Sequence, residues 1–357
     1  MSNELMKRFK NNSTLEYAGV MSGSDIFNTR DEAATPILAL NIAYSSRIDG
    51  GLGAGITLWA GPSKHFKSMF CLISAASYLK KYPDAVCLFY DNEFGSPKAY
   101  FESVGIDPDR VLHSPFFTLE ELRTDIVNQL KMVKRGDKVV IVIDSLGLAA
   151  SEKEVKDAED GSEKADMTRA KINKSLFRII TPHLRIKDIP LLAVAHVYDT
   201  IEMYSKKVVS GGSGQYLAAD NIYIIGRQQD KQGKELLGYD FIINVEKSRY
   251  TREKSKIPVK VSAENGIDKW TGLFDMAIQA GIIERTGKRY HVIDTRSGEV
   301  LRESFYRKAV ERSGDFWRMV FEGTAFEEWI TNEYRVTHGD IISDVNDEDE
   351  IDLNLED

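Results

Sequence analysis

The chain has 357 residues, 42% hydrophobic and 29% charged, with 47 basic against 55 acidic side chains and a net charge of −8. That is a globular composition long enough for about two domains, and its acidity argues against a protein that coats nucleic acid through bulk charge. Only two cysteines, Cys71 and Cys87, are present and both lie in apolar runs, so no disulfide framework is expected, and buried thiols in a reducing, cytoplasmic setting are.

No apolar run approaches the ~18 residues of a membrane span, and the opening MSNELMKRFKNN lacks the apolar stretch of a secretory signal. Neither a membrane association nor export is therefore expected. The six histidines show no metal-ligand spacing. The charge is unevenly spread: residues 344–357 (DVNDEDEIDLNLED) hold eight acids and no base. Without those eight, 47 acids face 47 bases, so the body is neutral and the acidity is a tail. A terminal block of like charge reads as disordered.

In chain order, residues 1–34 are polar, with a short helix expected near 2–10 and a lone Phe27, and read as an arm that docks a neighbouring subunit. From 35 to 265 short apolar runs alternate with helical patterns. The runs are 56–60, 85–91, 139–144, 191–196, 221–226, 241–245 and 257–261. They are continuous rather than alternating, as in strands buried on both faces. Helices are expected over 68–81, ending before Pro83, over 119–134 and over 167–184. In the second, Leu119, Leu122, Ile126, Leu130 and Val133 form one stripe, and Thr118 with Glu121 makes a capping box. This β-α-β order predicts an α/β fold, a mainly parallel sheet flanked by helices, with antiparallel additions at one edge. Residues 266–340 read as a small C-terminal α/β domain, and 341–357 as the disordered acidic tail.

The first strand runs into Gly61-Pro62-Ser63-Lys64-His65-Phe66-Lys67-Ser68 and then a helix. That is the geography of a P-loop, where backbone amides and a helix N-terminus favour a polyphosphate. Lys67 is placed to reach the β- and γ-phosphates and Ser68 to bind Mg²⁺. Phe66 stands where the pattern G-x-x-x-x-G-K-[ST] has glycine, and phenylalanine does not take positive φ cheaply. Taken alone, a β-α turn with a surface lysine would look much the same. Two further features point to ATP. The run Val139–Asp144 ends in an acid that can hold the Mg²⁺ shell beside the loop. Glu93 lies just past the strand ending at Asp91, where a carboxylate can orient and deprotonate a water.

These residues resemble the RecA family of strand-exchange recombinases, in its UvsX branch from T-even-type phages. The resemblance is carried by GPSKHFKSMF (61–70), YPDAVCLFYDNEFG (82–95), VVIVIDSLG (139–147), DMTRAKINKSLFRIITP (166–182), SGGSGQYLAAD (210–220) and NVEKSRYTREKSK (244–256). It implies a RecA-type core over 35–265. Phe66 resembles the wording of the UvsX branch itself. Glu93 corresponds to the water-activating glutamate, Tyr100 to the aromatic that stacks on adenine, and His196 to the γ-phosphate-sensing glutamine of RecA. Lys247 and Arg249 correspond to a basic pair that reaches the ATP of a neighbouring subunit, in the manner of an arginine finger.

Two long segments follow strand ends on the nucleotide side. Residues 197–220 match the family's second DNA loop and combine Lys206, Lys207, three tyrosines and the glycines Gly211 and Gly212; bases meet phosphates and rings stack on bases. The first loop, 151–166, carries seven acids against three bases and is a poor phosphate surface. The helix after it is better: Lys171, Lys174 and Arg178 share one face. The resemblance implies an ATP- and Mg²⁺-dependent recombinase that polymerises on single-stranded DNA, pairs it with homologous duplex, and works with single-strand-binding and mediator proteins. A RecA-fold hexameric helicase and a non-hydrolysing DNA scaffold are the alternatives. In this family's terms the tail reads as a DNA mimic. Deleting 344–357 is then expected to tighten single-stranded-DNA binding, most at low salt where its field is least screened; a titration of affinity against salt checks this.

Overall fold

A computed structural model of the chain describes residues 4–24, 31–161, 168–199, 207–232 and 235–336. Its centre is a nine-stranded sheet built on β1 (Gly55–Ala60), β2 (Val86–Asp91), β3 (Val111–Pro115), β4 (Val139–Asp144) and β5 (Pro190–Ala195). β8 (Asn221–Gln232), β9 (Glu235–Lys247), β10 (Lys256–Ser262) and β11 (Gly266–Ile267) extend one side, and the order is β11-β10-β9-β8-β1-β5-β4-β2-β3. From β8 to β3 every pairing is parallel; β9, β10 and β11 add antiparallel to the edge of β8.

Strand residues alternate between two cores. Trp59, Cys87, Phe89, Val140, Val142, Leu192, Val194 and Tyr223 face one side; Ile56, Leu58, Leu88, Ile141, Ile143, Leu191 and Ala193 face the other. Apolar residues at both parities explain the unbroken apolar runs. Helix α3 (Lys67–Lys81) fills the first side and leaves the helical region at Tyr82, the residue before Pro83. On the second lie α5 (Leu119–Met132), with the Thr118/Glu121 capping box formed, and α7 (Thr168–Ile186), which carries Pro182 in its last turns. Val133 packs against the same core as the α5 stripe but is the extended residue that ends the helix.

Several elements depart from the sequence reading. Helix α1 (Glu4–Asn12) has no buried residue, and α2 (Leu38–Ser45) is buried all round and shows no amphipathic period. Between β2 and β3 lies the short helix α4 (Lys98–Ser103). The first expected loop is half helix: α6 (Glu152–Glu159) is capped by a Ser151/Glu154 box. The second holds a hairpin of β6 (Val197–Asp199) and β7 (Lys207–Val209), then α8 (Ser213–Ala218). Beyond β11, α9 (Leu273–Gln279) precedes the antiparallel sheet β12 (Ile283–Thr286), β13 (Arg289–Ile293) and β14 (Val300–Phe305). Helices α10 (Arg307–Val310), α11 (Gly314–Gly323) and α12 (Phe326–Tyr334) follow, and Phe274, Trp317 and Phe326 join the core on the α3 side. Phe27 and the acidic tail lie outside the described residues. Among the described residues no helix is long and apolar enough to cross a membrane.

Candidate functional site

The C-terminal ends of β1, β5, β4 and β2 form one row, and the candidate residues for nucleotide chemistry sit along it. Residues 61–66 turn out of β1 and α3 begins at Lys67. Phe66 stands in the left-handed region, φ 63° and ψ 12°, so the turn has the conformation that glycine would adopt freely. Its ring lies 5.5 Å from both Phe70 and Phe241, centroid to centroid, and this packing offsets the backbone strain. Changing Phe66 to Gly relieves about 1–2 kcal/mol of strain but removes two ring contacts worth about 1 kcal/mol each and part of the ring's burial. The expected result is a protein about 1–2 kcal/mol less stable in urea with nucleotide affinity kept within a few-fold.

Lys67 is buried, and its ammonium donates to the Pro62 carbonyl at 2.8 Å. Burial lowers its pKa, against the pull of Glu93 and Asp144. Asp144, at the end of β4, is 2% exposed. Burial pushes its carboxyl up to about 6, opposed by a hydrogen bond from Ser68 and reinforced by the charges of Glu93 and Asp91. Ser96 donates to its Oδ2 at 3.3 Å, while its buried Oδ1 has no hydrogen-bond partner. An orphaned carboxylate oxygen beside a serine hydroxyl suits Mg²⁺, so the chemistry of Ser68 and Asp144 fits that ion.

Glu93 leaves the turn after β2. Its Oε1 accepts from the Ser145 hydroxyl and, at 3.1 Å, from His196 Nε2. The His196 ring lies over Gly147, where a Cβ would run into its Cδ2 and displace the ring. The backbone of His196 continues the connection, its carbonyl accepting from Ser210 N at 2.8 Å. Ser210 opens the glycine turn Gly211–Gly212, both at positive φ. Asn173 of α7 donates to the Gly211 carbonyl at 2.7 Å, and Gln215 donates to that of Ser210. One chain of contacts thus joins Glu93 to the segment expected to hold DNA.

Lys171, Lys174 and Arg178 lie on the outer side of α7, and Lys207 is exposed on β7. Helix α8 lies against α7 so closely that a Cβ on Gly214 would run into Lys174 Cα. This brings Lys171, Lys174, Gly211 and Gly212 to one junction, while the Lys207 charge is felt by His65 of the P-loop turn. Lys206 lies outside the described residues. Tyr100 is 46% exposed on α4, free to stack and not a core residue. Lys247 donates to the carbonyls of Tyr216 and Leu217 at the end of α8, and Arg249 pairs with Asp220, which Arg185 shares.

Residues 270–330 match the family model for the C-terminal domain of the bacteriophage T4 recombination and repair protein. The recombination and repair protein of Enterobacteria phage T4 is 45% identical over 337 residues, covering 93% of this chain and 86% of the relative. The chain belongs to the UvsX family. RecA proteins are more distant relatives: that of Paracoccus denitrificans is 25% identical over 277 residues, 75% of this chain and 74% of its own. That of Rhizobium etli is 24% identical over 299 residues, 83% and 76% of the two chains. The core of this UvsX-family chain is accordingly RecA-type, and its role lies in recombination and repair.

Sequence reasoning missed Ser145, Ser96, Asp91 and Asn92. Ser145 is fully buried and follows the cis Asp144–Ser145 peptide; Ser145, Ser96 and Asn92 act through partners that only the sheet order brings near, while Asp91 holds the amides of Glu93 and Phe94 two and three residues on. For Ser145 the cue was its place directly after the strand-ending acid; the others carried no signal of their own.

Proposed function

We propose that this UvsX-family chain is an ATP-dependent recombinase that polymerises on single-stranded DNA, pairs it with homologous duplex and exchanges strands. The observation that carries this reading is the continuous path from Glu93 through His196 and Ser210 to Gly211, next to a P-loop. Lys67 meets the transferred phosphate, and Ser68 with Asp144 hold Mg²⁺, which supplies charge neutralisation at the phosphates. Glu93 orients water for in-line attack on the γ-phosphorus and takes its proton as the bond to the β-phosphate oxygen breaks. His196 reports the state of that carboxylate to the glycine turn. Tyr100 stacks on the adenine, and Lys171, Lys174, Arg178, Lys206 and Lys207 meet DNA phosphates. Specificity then comes from base pairing, so the protein holds backbone and spreads bases without reading them.

Lys247 and Arg249 are held within their own subunit by α8 carbonyls and by Asp220. Serving a neighbour's nucleotide requires them to exchange these partners, which ties hydrolysis to polymerisation. Electron microscopy with single-stranded DNA and a non-hydrolysable ATP analogue tests the reading: extended helical filaments are expected, together with homologous pairing in a strand-exchange assay. Closed rings without pairing favour a helicase and defeat it.

A further inference from the structure

The turn that carries Glu93 is poorly supported by packing. Phe94 is 60% exposed and sits at φ 52°, and a Cβ on Gly95 would touch nothing. Beneath α4 lies a cavity of about 340 Å³ bordered by Phe89, Phe94, Phe101 and Val111. What fixes the turn is hydrogen bonding. Asn92 is tied to β4, its amide donating to the Asp144 carbonyl at 3.0 Å and its side chain accepting from Ser145 N at 2.8 Å. The backbone amides of the next two residues are held by Asp91. Its Oδ1 accepts from Glu93 N at 3.1 Å and from Phe94 N at 2.9 Å. Its Oδ2 accepts from His113 Nε2 at 3.2 Å, on a ring stacked over Phe89. The Asp91 carboxylate is itself buried, which limits the competition of bulk water for these part-buried bonds.

We propose that Asp91 is a positioning residue for Glu93, clamping the two amides of the turn so that the Glu93 side chain starts from a fixed backbone over the P-loop. His113, on the edge strand, fixes the clamp itself. This rests on the hydrolytic reading of Glu93. A misplacement of about 1 Å at a reacting group costs on the order of 10²-fold in rate, and beyond Asn92 the backbone of the strained, unpacked turn is held by the Asp91 bonds.

The test is steady-state ATP hydrolysis with saturating single-stranded DNA. Asp91→Ala is expected to lower kcat about 10- to 100-fold with KM for ATP changed less than about twofold, since the P-loop is untouched. Asp91→Asn keeps an oxygen that accepts the same two amides and is expected to restore kcat to within about threefold of wild type. Asp91→Glu keeps the charge but shifts the oxygens by a methylene and is expected to stay about tenfold low. It also serves as the loss variant if Asp91→Ala fails to fold. Equal loss in Asp91→Asn and Asp91→Ala overturns the clamp in favour of a charge effect, and so does wild-type kcat in Asp91→Glu. A rise in KM at unchanged kcat overturns it in favour of substrate binding. Hydrolysis that survives Glu93→Gln sinks the reading of Glu93, and this proposal with it, before Asp91 is altered.

Discussion

Replacing Glu93 by Gln is expected to lower DNA-stimulated ATP hydrolysis about 10²- to 10⁴-fold, the range that a positioned general base supplies. Binding is expected to survive. Glutamine is isosteric, its carbonyl oxygen still accepts from Ser145 and His196, and Lys67, Ser68 and Asp144 are unchanged. What it cannot do is take a proton from water. If hydrolysis releases the product, filaments of the variant persist on DNA in ATP where wild-type filaments turn over. Two measurements check this: phosphate release with and without single-stranded DNA, and filament lifetime after a DNA chase. Hydrolysis within about threefold of wild type, far short of the loss of a general base, would place the base elsewhere. Loss of DNA binding in ATP would show that Glu93 carries the coupling to Ser210 as well as the chemistry.

How much of this was legible beforehand follows from which contacts are local. β1, the P-loop and α3 are consecutive in the chain, so strand, turn and helix could be read together, Phe66 included. β4 and β5 are unbroken apolar runs because both their faces are buried. β3 was not legible: it is an edge strand, mostly exposed, carrying His113 and ending in Pro115. β8 and β9 run well past their apolar cores into GRQQDKQ and ELLGYD, where the pairing of two polar strands replaces burial as the reason to be extended. The acid-rich start of the first loop is helical because Ser151 and Glu154 cap it, a signal written in the sequence and outweighed by attention to charge. The site splits the same way. Lys67, Asp144 and Glu93 were found from their neighbours in the chain: Asp144 ends β4, Glu93 follows β2 by two residues, and Lys67 opens the helix after the β1 turn. Ser145 meets Glu93 across 52 residues, and Ser210 meets the backbone of His196. Neither contact has a sequence period or motif of its own; the first needs β4 to lie beside β2, and the second needs the chain to fold back after β5.

The substitution Asp144→Asn is expected to stabilise the free protein while abolishing its response to Mg²⁺ and ATP. Burial raises the Asp144 carboxyl to about 6 in the folded chain, against an ordinary value of 3.8. The folded state therefore favours the neutral acid. That stabilisation is fully present below pH ~4 and is lost as pH rises through ~6, where the fold must hold a buried charge that the unfolded chain keeps in water. The gap corresponds to about 3 kcal/mol. The amide of the variant imitates the neutral acid at every pH, and the Ser68 and Ser96 hydroxyls can turn to accept from it. Unfolding free energies of the variant and wild type, measured in urea, are then expected to coincide near pH ~4 and to differ by about 2–3 kcal/mol near pH ~8, the variant being the more stable. Added Mg²⁺ and ATP reverse the order, because ligand that binds only the folded state stabilises wild type by mass action and the variant has lost the carboxylate. Equal unfolding free energies near pH ~8 would mean that Lys67 already compensates the Asp144 charge in the free protein. The sign of the difference thus decides whether this buried acid is strained until its ligand arrives, or is simply one half of a lysine pair.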